Sequence, residues 1–173
     1  DVNTNILESE HSNDLFNFNN PLKNDSHIRI FKGNISPNGA VGKITGKEGT
    51  NFYGKALVFE SEQEFIDLVE KDNNKFNIKN LSIGKVIVIR NQGPKGSPGM
   101  PEMLKATSLI NGMNISNDVA FITDGRFSGG SHGFLIGHIT PEAYDNGLIS
   151  VIKNNDPIEI DAVNNTINLK INK

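Results

Sequence analysis

Apolar residues fall into short runs along most of the chain, separated by polar or glycine-rich segments. The β-branched run from Lys85 to Arg90 predicts a buried strand, because strands covered on both faces lack polar alternation. Shorter runs predict further strands at 28–31, 40–44, 56–59, 119–123 and 134–139. Near the end of the chain, apolar residues alternate with polar ones over 158–161 and 167–171. Asn164-Asn165 between them tolerates the left-handed turn conformation, which predicts a hairpin.

Three segments carry the start signals of helices. Ser61 and Glu64 have the spacing of a capping box, in which each side chain bonds the backbone N–H of the other residue. Pro101 suits the first position of a helix, where no N–H partner is needed, and predicts a helix from about 101 to 111. The segment 141–143 predicts the start of a short helix.

The predicted strands outnumber the predicted helices, so we expect a mixed α/β fold: a mixed sheet or barrel with flanking helices. A length of 173 residues suits one compact domain. Residues 1–24 are polar and lack sustained periodicity, which indicates a linker or an interdomain arm. The domain itself is then expected over residues 25–173.

Composition excludes several classes of function. The net charge is −3 and no basic stripe is present, so a nucleic-acid partner is not expected. The chain has no cysteine, which rules out disulfides, thiolate metal sites and a cysteine nucleophile within it. The longest apolar runs are far shorter than the roughly 20 residues that a membrane-spanning helix needs, so no membrane partner is expected.

The first candidate site is the Gly/Pro-rich loop from Gly93 to Glu102, which follows a predicted strand. Its irregular path is expected to expose backbone N–H groups. Glu102 is expected in the first turn of the helix, where the helix dipole favours an ionised carboxylate that can bind a hard cation. A stabilising surface charge is the alternative for Glu102. The loop is not a P-loop, because no Gly-Lys-Ser/Thr closes it.

The second candidate site is the loop from Thr123 to Gly130. Gly129 and Gly130 leave room for a substrate beside the Ser128 hydroxyl, and such turns can aim N–H groups at an anion. A tight capped turn, with Ser128 as a local hydrogen-bonding residue, is the alternative. A hydrolase elbow would need glycine at position 126, where the chain has arginine.

A third, weaker candidate is the segment 43–49, in which Lys43, Lys47 and Glu48 can either reach an anionic substrate or form a solvated loop.

The segments that contain these residues resemble those of a known protein family. Over roughly residues 20–173 it resembles the C-terminal domain of the dihydroxy-acid and sugar-acid dehydratases. Four segments carry the resemblance in the family's order: GNISPNGAV with KITGKEG (33–41 and 43–49), GPKGSPGMPEM (93–103), TDGRFSGG (123–130) and GHITPEA (137–143). The stretch KITGKEG is similar to the branched-chain amino-acid branch of the family rather than the phosphogluconate branch.

The resemblance implies a swivelling β/β/α domain and a hydro-lyase reaction. The implied substrates are 2,3-dihydroxy-3-methylbutanoate and its methylpentanoate homologue, which become 2-keto acids in valine and isoleucine biosynthesis. It also implies an iron–sulfur cluster, either 2Fe-2S or 4Fe-4S, as Lewis acid for the C3 hydroxyl, and Mg²⁺ on the substrate carboxylate and C2 hydroxyl. By motif position, Glu102 is implied as a magnesium ligand and Ser128, as an alkoxide, as the base.

In the family the cluster cysteines and the other magnesium ligands lie in an N-terminal domain, which this sequence does not contain. We therefore expect the isolated chain to be inactive and to hold no cluster. A sugar-acid dehydratase (aldonate or phosphogluconate type) and a non-catalytic anion-binding module are the alternatives. The resemblance also implies a homodimer or tetramer, located in a bacterial cytoplasm or in a plastid or mitochondrion.

Overall fold

The computed structural model describes residues 16–21, 24, 26–71, 79–80 and 82–171. The arm expected at 1–24 lies mostly outside these residues. Eight strands form one sheet. They are β1 (Ile28–Phe31), β2 (Gly39–Lys43), β3 (Asn51–Phe59), β4 (Lys85–Ile89), β5 (Ala120–Thr123), β6 (Phe134–Thr140), β7 (Pro157–Asp161) and β8 (Thr166–Leu169). Two α-helices are described in full, α1 (Glu62–Lys71) and α2 (Leu104–Gly112), with 3₁₀ helices at Ala143–Asp145 and Leu148–Val151.

The strand order is β1-β2-β6-β5-β4-β3-β7-β8. The four central strands β6, β5, β4 and β3 run parallel, and the pairs at either side are antiparallel. The two outer strands approach each other where Lys32 bridges Thr166. The Lys32 N–H donates to Asn165 O at 2.9 Å, and the Ile167 N–H donates to Lys32 O at 3.0 Å. The mixed α/β prediction is therefore confirmed, as a mixed sheet nearly closed into a barrel with two helices beside it.

The side-chain alternation of the central strands separates two apolar cores. On β4, Val86 and Val88 point into the barrel, whereas Ile87 and Ile89 face the helices. All four are fully buried, because strand side chains point alternately to the two faces and both faces are covered here. Phe65 and Val69 of α1 belong to the outer core. This two-sided burial explains why the sequence of β4 shows a continuous β-branched run.

Two details of the helix starts differ from the sequence predictions. The Ser61 hydroxyl accepts from the Glu64 N–H at 3.2 Å, which is half of the predicted capping box. The Glu64 carboxylate, however, accepts from the Glu60 N–H at 2.6 Å rather than from Ser61. The second helix begins at Leu104, so the prediction that Pro101 is its first residue was wrong.

The other predicted strands and the C-terminal hairpin are confirmed, with shifted ends. Strand β3 begins at Asn51, five residues before the predicted run, because its first half pairs with β7. Strand β8 ends at Leu169, so Ile171 lies beyond it and is half exposed. Asn165 adopts φ of 54°, the left-handed conformation expected in the turn. No described helix is long and apolar enough to span a membrane.

Candidate functional site

The two glycine-rich loops lie side by side because they follow β4 and β5, which are parallel neighbours. Asp124, the first residue after β5, is 1% exposed and joins the loops. Its Oδ1 accepts from the Gln92 N–H at 2.8 Å, and its Oδ2 accepts from the N–H groups of Asn91 at 3.1 Å and Ala143 at 2.8 Å. A buried carboxylate needs such partners. Asp124 therefore sets the relative position of the chain segments around the site.

Glu142 holds the first loop in a similar way. Its carboxylate is 6% exposed and accepts from the N–H groups of Lys95, at 3.1 and 3.2 Å, and of Gly96, at 3.0 Å. Gly93 has to be a glycine here, because a Cβ would lie 2.3 Å from Glu142 Oε2. The expectation that this loop exposes its backbone N–H groups was wrong at Lys95 and Gly96, whose N–H groups serve an internal acid. This arrangement does not favour an anion-binding loop.

Glu102 lies outside the helix, in an extended segment that pairs with the second loop. It forms a parallel bridge with Arg126, and the Met103 N–H donates to Arg126 O at 3.0 Å. The prediction that Glu102 occupies the first helical turn was wrong, because pairing with the neighbouring loop delays the helix until Leu104. The Glu102 side chain is 41% exposed, and its Oε1 lies 3.5 Å from Arg126 Nη1. Its carboxylate remains accessible from solvent.

Ser128 lies two residues beyond Arg126, in a tight turn formed by residues 128–131, here called the Ser128 turn. The Ser131 N–H donates to Ser128 O at 3.1 Å, and the Gly130 N–H makes a long bond of 3.4 Å to Ser128 Oγ. Glu102 and Ser128 have Cα atoms within roughly 12 Å, since bridged residues lie about 5 Å apart and two residues span at most about 7 Å.

Gly129 and Gly130 leave open space next to the Ser128 hydroxyl. A Cβ built at either position would have no atom within 4 Å, and neither residue has a positive φ. Neither the backbone conformation nor packing against the described part of the chain therefore requires glycine there. The space is available to a molecule that approaches Ser128.

A pocket next to Ser128 has an apolar wall. Its lining includes Ile28 of β1, Val41 of β2, Leu135 of β6 and Phe127 of the second loop. Ser128, Gly129, Lys43 and His138 supply its polar edge. On the other side of Ser128 a more polar pocket is lined by α2, including Ser108, together with His132. Ser128 thus lies between an apolar pocket and a more polar one.

Of the three residues in the weaker candidate segment, only Lys43 reaches the site. Its ammonium donates to the carbonyls of Gly129 and, at 3.3 Å, of Ser131. Glu48 turns back on its own loop, where its carboxylate accepts from the Thr45 N–H at 3.1 Å and the Thr45 hydroxyl at 2.8 Å. Partial burial raises the pKa of Glu48, but these hydrogen bonds outweigh it and the pKa is lowered overall. Lys47 is exposed.

The described residues do not form a complete metal site. They contain no group of three or more His, Asp or Glu side chains placed to hold a metal ion. Glu102 offers one accessible carboxylate, the hard oxygen ligand that Mg²⁺ prefers, so further ligands would have to come from another part of the protein. No thiolate for an iron–sulfur cluster is available, because the chain has no cysteine.

Comparison with known families identifies the domain. The family model described as Dihydroxy-acid/6-phosphogluconate dehydratase C-terminal matches residues 15–173. This chain belongs to that dehydratase family. The resemblance stated from the four motifs is therefore confirmed.

Relatives of this dehydratase domain share about half of its residues. A protein of Francisella tularensis named dihydroxy-acid dehydratase is 56% identical over 157 residues, which are 91% of this chain and 27% of that protein. A Lactococcus lactis protein of the same name is 53% identical over 152 residues, 88% of this chain and 25% of the relative. The Schizosaccharomyces pombe protein named "Dihydroxy-acid dehydratase, mitochondrial" is 52% identical over 154 residues, which are 89% of this chain and 25% of that protein. The chain spans about a quarter of the length of these relatives.

Sequence reasoning missed the structural roles of Asp124 and Glu142. Both lie within the motifs of the dehydratase domain, yet each looks like an ordinary loop acid in one dimension. The local sequence indicates this role only through position, because each acid comes within two residues of the end of a buried strand. A carboxylate buried there without N–H partners would destabilise the fold.

Proposed function

We propose that this chain is the part of a dihydroxy-acid dehydratase that supplies the catalytic base, Ser128, and one magnesium ligand, Glu102. The substrates are 2,3-dihydroxy-3-methylbutanoate and its methylpentanoate homologue, on the valine and isoleucine pathways. The observation that carries the proposal is the Glu102–Arg126 bridge, which holds Glu102 beside the loop segment that leads to Ser128. The proposal requires a second domain to complete the site.

In the proposed reaction, Ser128 removes the proton from C2 of the substrate. The electrons of the C–H bond form the C2–C3 double bond, and the C3 hydroxyl departs as hydroxide. The hydroxide takes the proton that Ser128 collected, which gives water and restores the serine alkoxide. The resulting enol tautomerises to the 2-keto acid. A serine hydroxyl is a weak base, so its alkoxide needs nearby positive charge. Bound Mg²⁺ would help stabilise the alkoxide, and the cluster of the absent domain would act as Lewis acid on the leaving hydroxyl.

The residues around Ser128 match these demands in part. Among the described residues the hydroxyl oxygen has a single long hydrogen bond, from Gly130 N–H, so it can reach a substrate without breaking a strong internal contact. Gly129 and Gly130 leave the approach open. Glu102 keeps an accessible carboxylate near the same turn. It would hold magnesium together with ligands from the absent domain.

The apolar wall of the pocket supports a branched alkyl substrate over a sugar acid. A sugar acid carries hydroxyl groups along its whole chain, and these would lose their hydrogen bonds against Ile28, Val41 and Leu135. A methyl or ethyl branch at C3 gains from the same contacts, by roughly 0.8 kcal/mol for each buried methylene.

The base is tested with Ser128→Ala in the complete enzyme that contains this chain. We expect turnover to collapse while bound iron and the thermal transition stay unchanged, because the hydroxyl contributes only one weak internal bond. Ser108→Ala, which removes a hydroxyl from the other side of the adjoining pocket, is the matched control and should leave turnover nearly unchanged. Near-normal turnover of Ser128→Ala would exclude Ser128 as the base.

The substrate preference is tested with Ile28→Asn against Ile30→Asn. The two isoleucines lie on β1 with nearly equal exposure, 56% and 57%, but only Ile28 lines the pocket. In the complete enzyme we expect Ile28→Asn to raise KM for the branched substrate several-fold and Ile30→Asn to change it little. Equal effects of the two substitutions would contradict the assignment of the alkyl pocket.

The division of labour between domains is tested with the 173-residue chain alone. We expect the purified chain to show no dehydration of either substrate and to bind no iron–sulfur cluster on reconstitution, because it lacks cysteine. Dehydration by the isolated chain would overturn the requirement for a second domain. Sedimentation of the chain and of the complete enzyme tests the expected dimer or tetramer.

A further inference from the structure

The ammonium group of Lys43 bonds to the turn that contains the proposed base. Lys43 is the last residue of β2, where it pairs with Leu135 at the start of β6. From there its side chain donates to the carbonyls of Gly129 and Ser131. These two carbonyls flank Gly130, so one cation fixes the Ser128 turn at two points.

The described residues add few other restraints on the turn. Ser131 is buried, and its hydroxyl makes a long bond of 3.4 Å to Thr107 Oγ1. The Ser131 N–H closes it through Ser128 O at 3.1 Å, and the remaining contact of the Ser128 hydroxyl is the long bond from Gly130. The Gly129 and Gly130 positions have no neighbouring atoms that would confine a Cβ. Without the lysine, two adjacent glycines would leave the turn free to sample other conformations.

We infer that Lys43 is the positioning residue for Ser128: it orients the Ser128 turn through two carbonyl hydrogen bonds and places a positive charge beside the serine hydroxyl. The inference rests on the proposed function, since it assumes that Ser128 is the base. Lys43 also lines the same pocket as Ser128, and its ammonium lies against the turn that carries the proposed alkoxide. A fixed cation at that point stabilises the deprotonated hydroxyl without rearranging during the reaction.

Several other charged or titratable groups surround the turn. His138 of β6 lines the same pocket, and His132 of the loop lines the pocket on the α2 side. The Glu102–Arg126 pair lies on the bridge before the turn. Lys43 differs from these groups because its ammonium is hydrogen bonded directly to the backbone of the turn.

The test uses Lys43→Met in the complete enzyme, with Lys43→Arg as the conservative variant and Lys47→Met as the matched control from the exposed part of the same segment. We expect Lys43→Met to lower kcat by at least ~100-fold, as for the loss of a preorganised charge at an oxyanion, with little change in KM. The ascending limb of the kcat–pH profile should move to higher pH, because the alkoxide loses its neighbouring cation. Lys43→Arg should restore most of the rate and the position of the limb, and Lys47→Met should match the parent.

A purely structural role for Lys43 would lower kcat equally at every pH, and that result overturns the inference, as does a Lys43→Met enzyme with the kcat of the parent. His138→Gln and His132→Gln show whether the ascending limb of the kcat–pH profile arises from ionisation of a histidine. If the limb disappears in either variant, the result also contradicts the inference about Lys43. If Lys43→Met does not fold, Lys43→Gln keeps a neutral donor and tests the charge alone by the same pH criterion.

The Ser128→Ala enzyme separates this inference from the proposed function. If the Ser128→Ala enzyme is active, Ser128 is not the base, and the inference about Lys43 is refuted as well. An inactive Ser128→Ala enzyme beside a fully active Lys43→Met enzyme leaves the base in place and rejects Lys43 alone. In the double variant Lys43→Met adds no further loss if it acts through Ser128.

Discussion

Replacing Asp124 with asparagine should destabilise the domain much more than removing a surface charge. The carboxylate accepts three backbone N–H bonds, one at Oδ1 and two at Oδ2. In the better orientation of an asparagine, the amide oxygen keeps the two bonds to Asn91 and Ala143, and its NH₂ group faces the Gln92 N–H. One charge-assisted bond, worth about 1.5–3 kcal/mol, is lost and two donors face each other in a buried site, so we expect a loss of roughly 2–4 kcal/mol.

Urea denaturation of the 173-residue chain measures this loss. With a slope of about 1–3 kcal/mol per molar urea, the midpoint should fall by roughly 1 M or more. Asp145→Asn is the matched control, because its carboxylate is 41% exposed and pairs with Lys95 on the surface. Such a pair contributes about 0–1 kcal/mol. If Asp124→Asn shifts the midpoint no further than Asp145→Asn, the bonds of Asp124 do not stabilise the site as argued.

Three further substitutions test the packing and the electrostatics of the domain. Gly147→Ala should destabilise the domain by about 1–3 kcal/mol, because the new Cβ would lie 1.9 Å from the Pro141 carbonyl oxygen. Gly112→Ala is the control in α2, where a Cβ would have no atom within 4 Å. It should stabilise the domain by about 0.5–1 kcal/mol in the same urea titration. Hydrogen bonding from Arg90 lowers the pKa of Glu60, so the stability that Glu60 contributes is present at neutral pH and is lost as the pH falls through its lowered pKa. Glu60→Gln should therefore be less stable than the parent at pH 7 and equally stable in strong acid; a difference that persists in acid would contradict this origin.

The fold was predictable from the sequence where local pattern and tertiary environment agree. The run at Lys85–Ile89 is β-branched and buried on both faces, so its strand was correctly identified. The strand order was not predictable from these patterns, because pairing joins segments that are distant in the chain. Strand β2, for example, pairs with β6 almost a hundred residues later, and nothing in the pattern of either strand encodes that choice.

In the candidate site, too, local pattern identified some features, and others depend on tertiary contacts. Ser128 and Glu102 were singled out from local motifs, and the structure brings their segments together; their chemical roles remain predictions. The position of Glu102 was mistaken because Pro101 favours a helix start locally, whereas the bridge to Arg126 keeps the segment extended. Lys43 was an open candidate, since no local pattern shows that its side chain reaches a turn 86 residues away.

The two internal carboxylates, Asp124 and Glu142, have a consequence for assembly. Both bind backbone groups of the site loops within this chain, so the shape of these loops is set by contacts inside the domain itself. Ordering a loop on association typically weakens binding, because the lost conformational freedom offsets the new contacts. Under the proposed function, loops that are already held within this domain avoid this loss when it associates with the second domain.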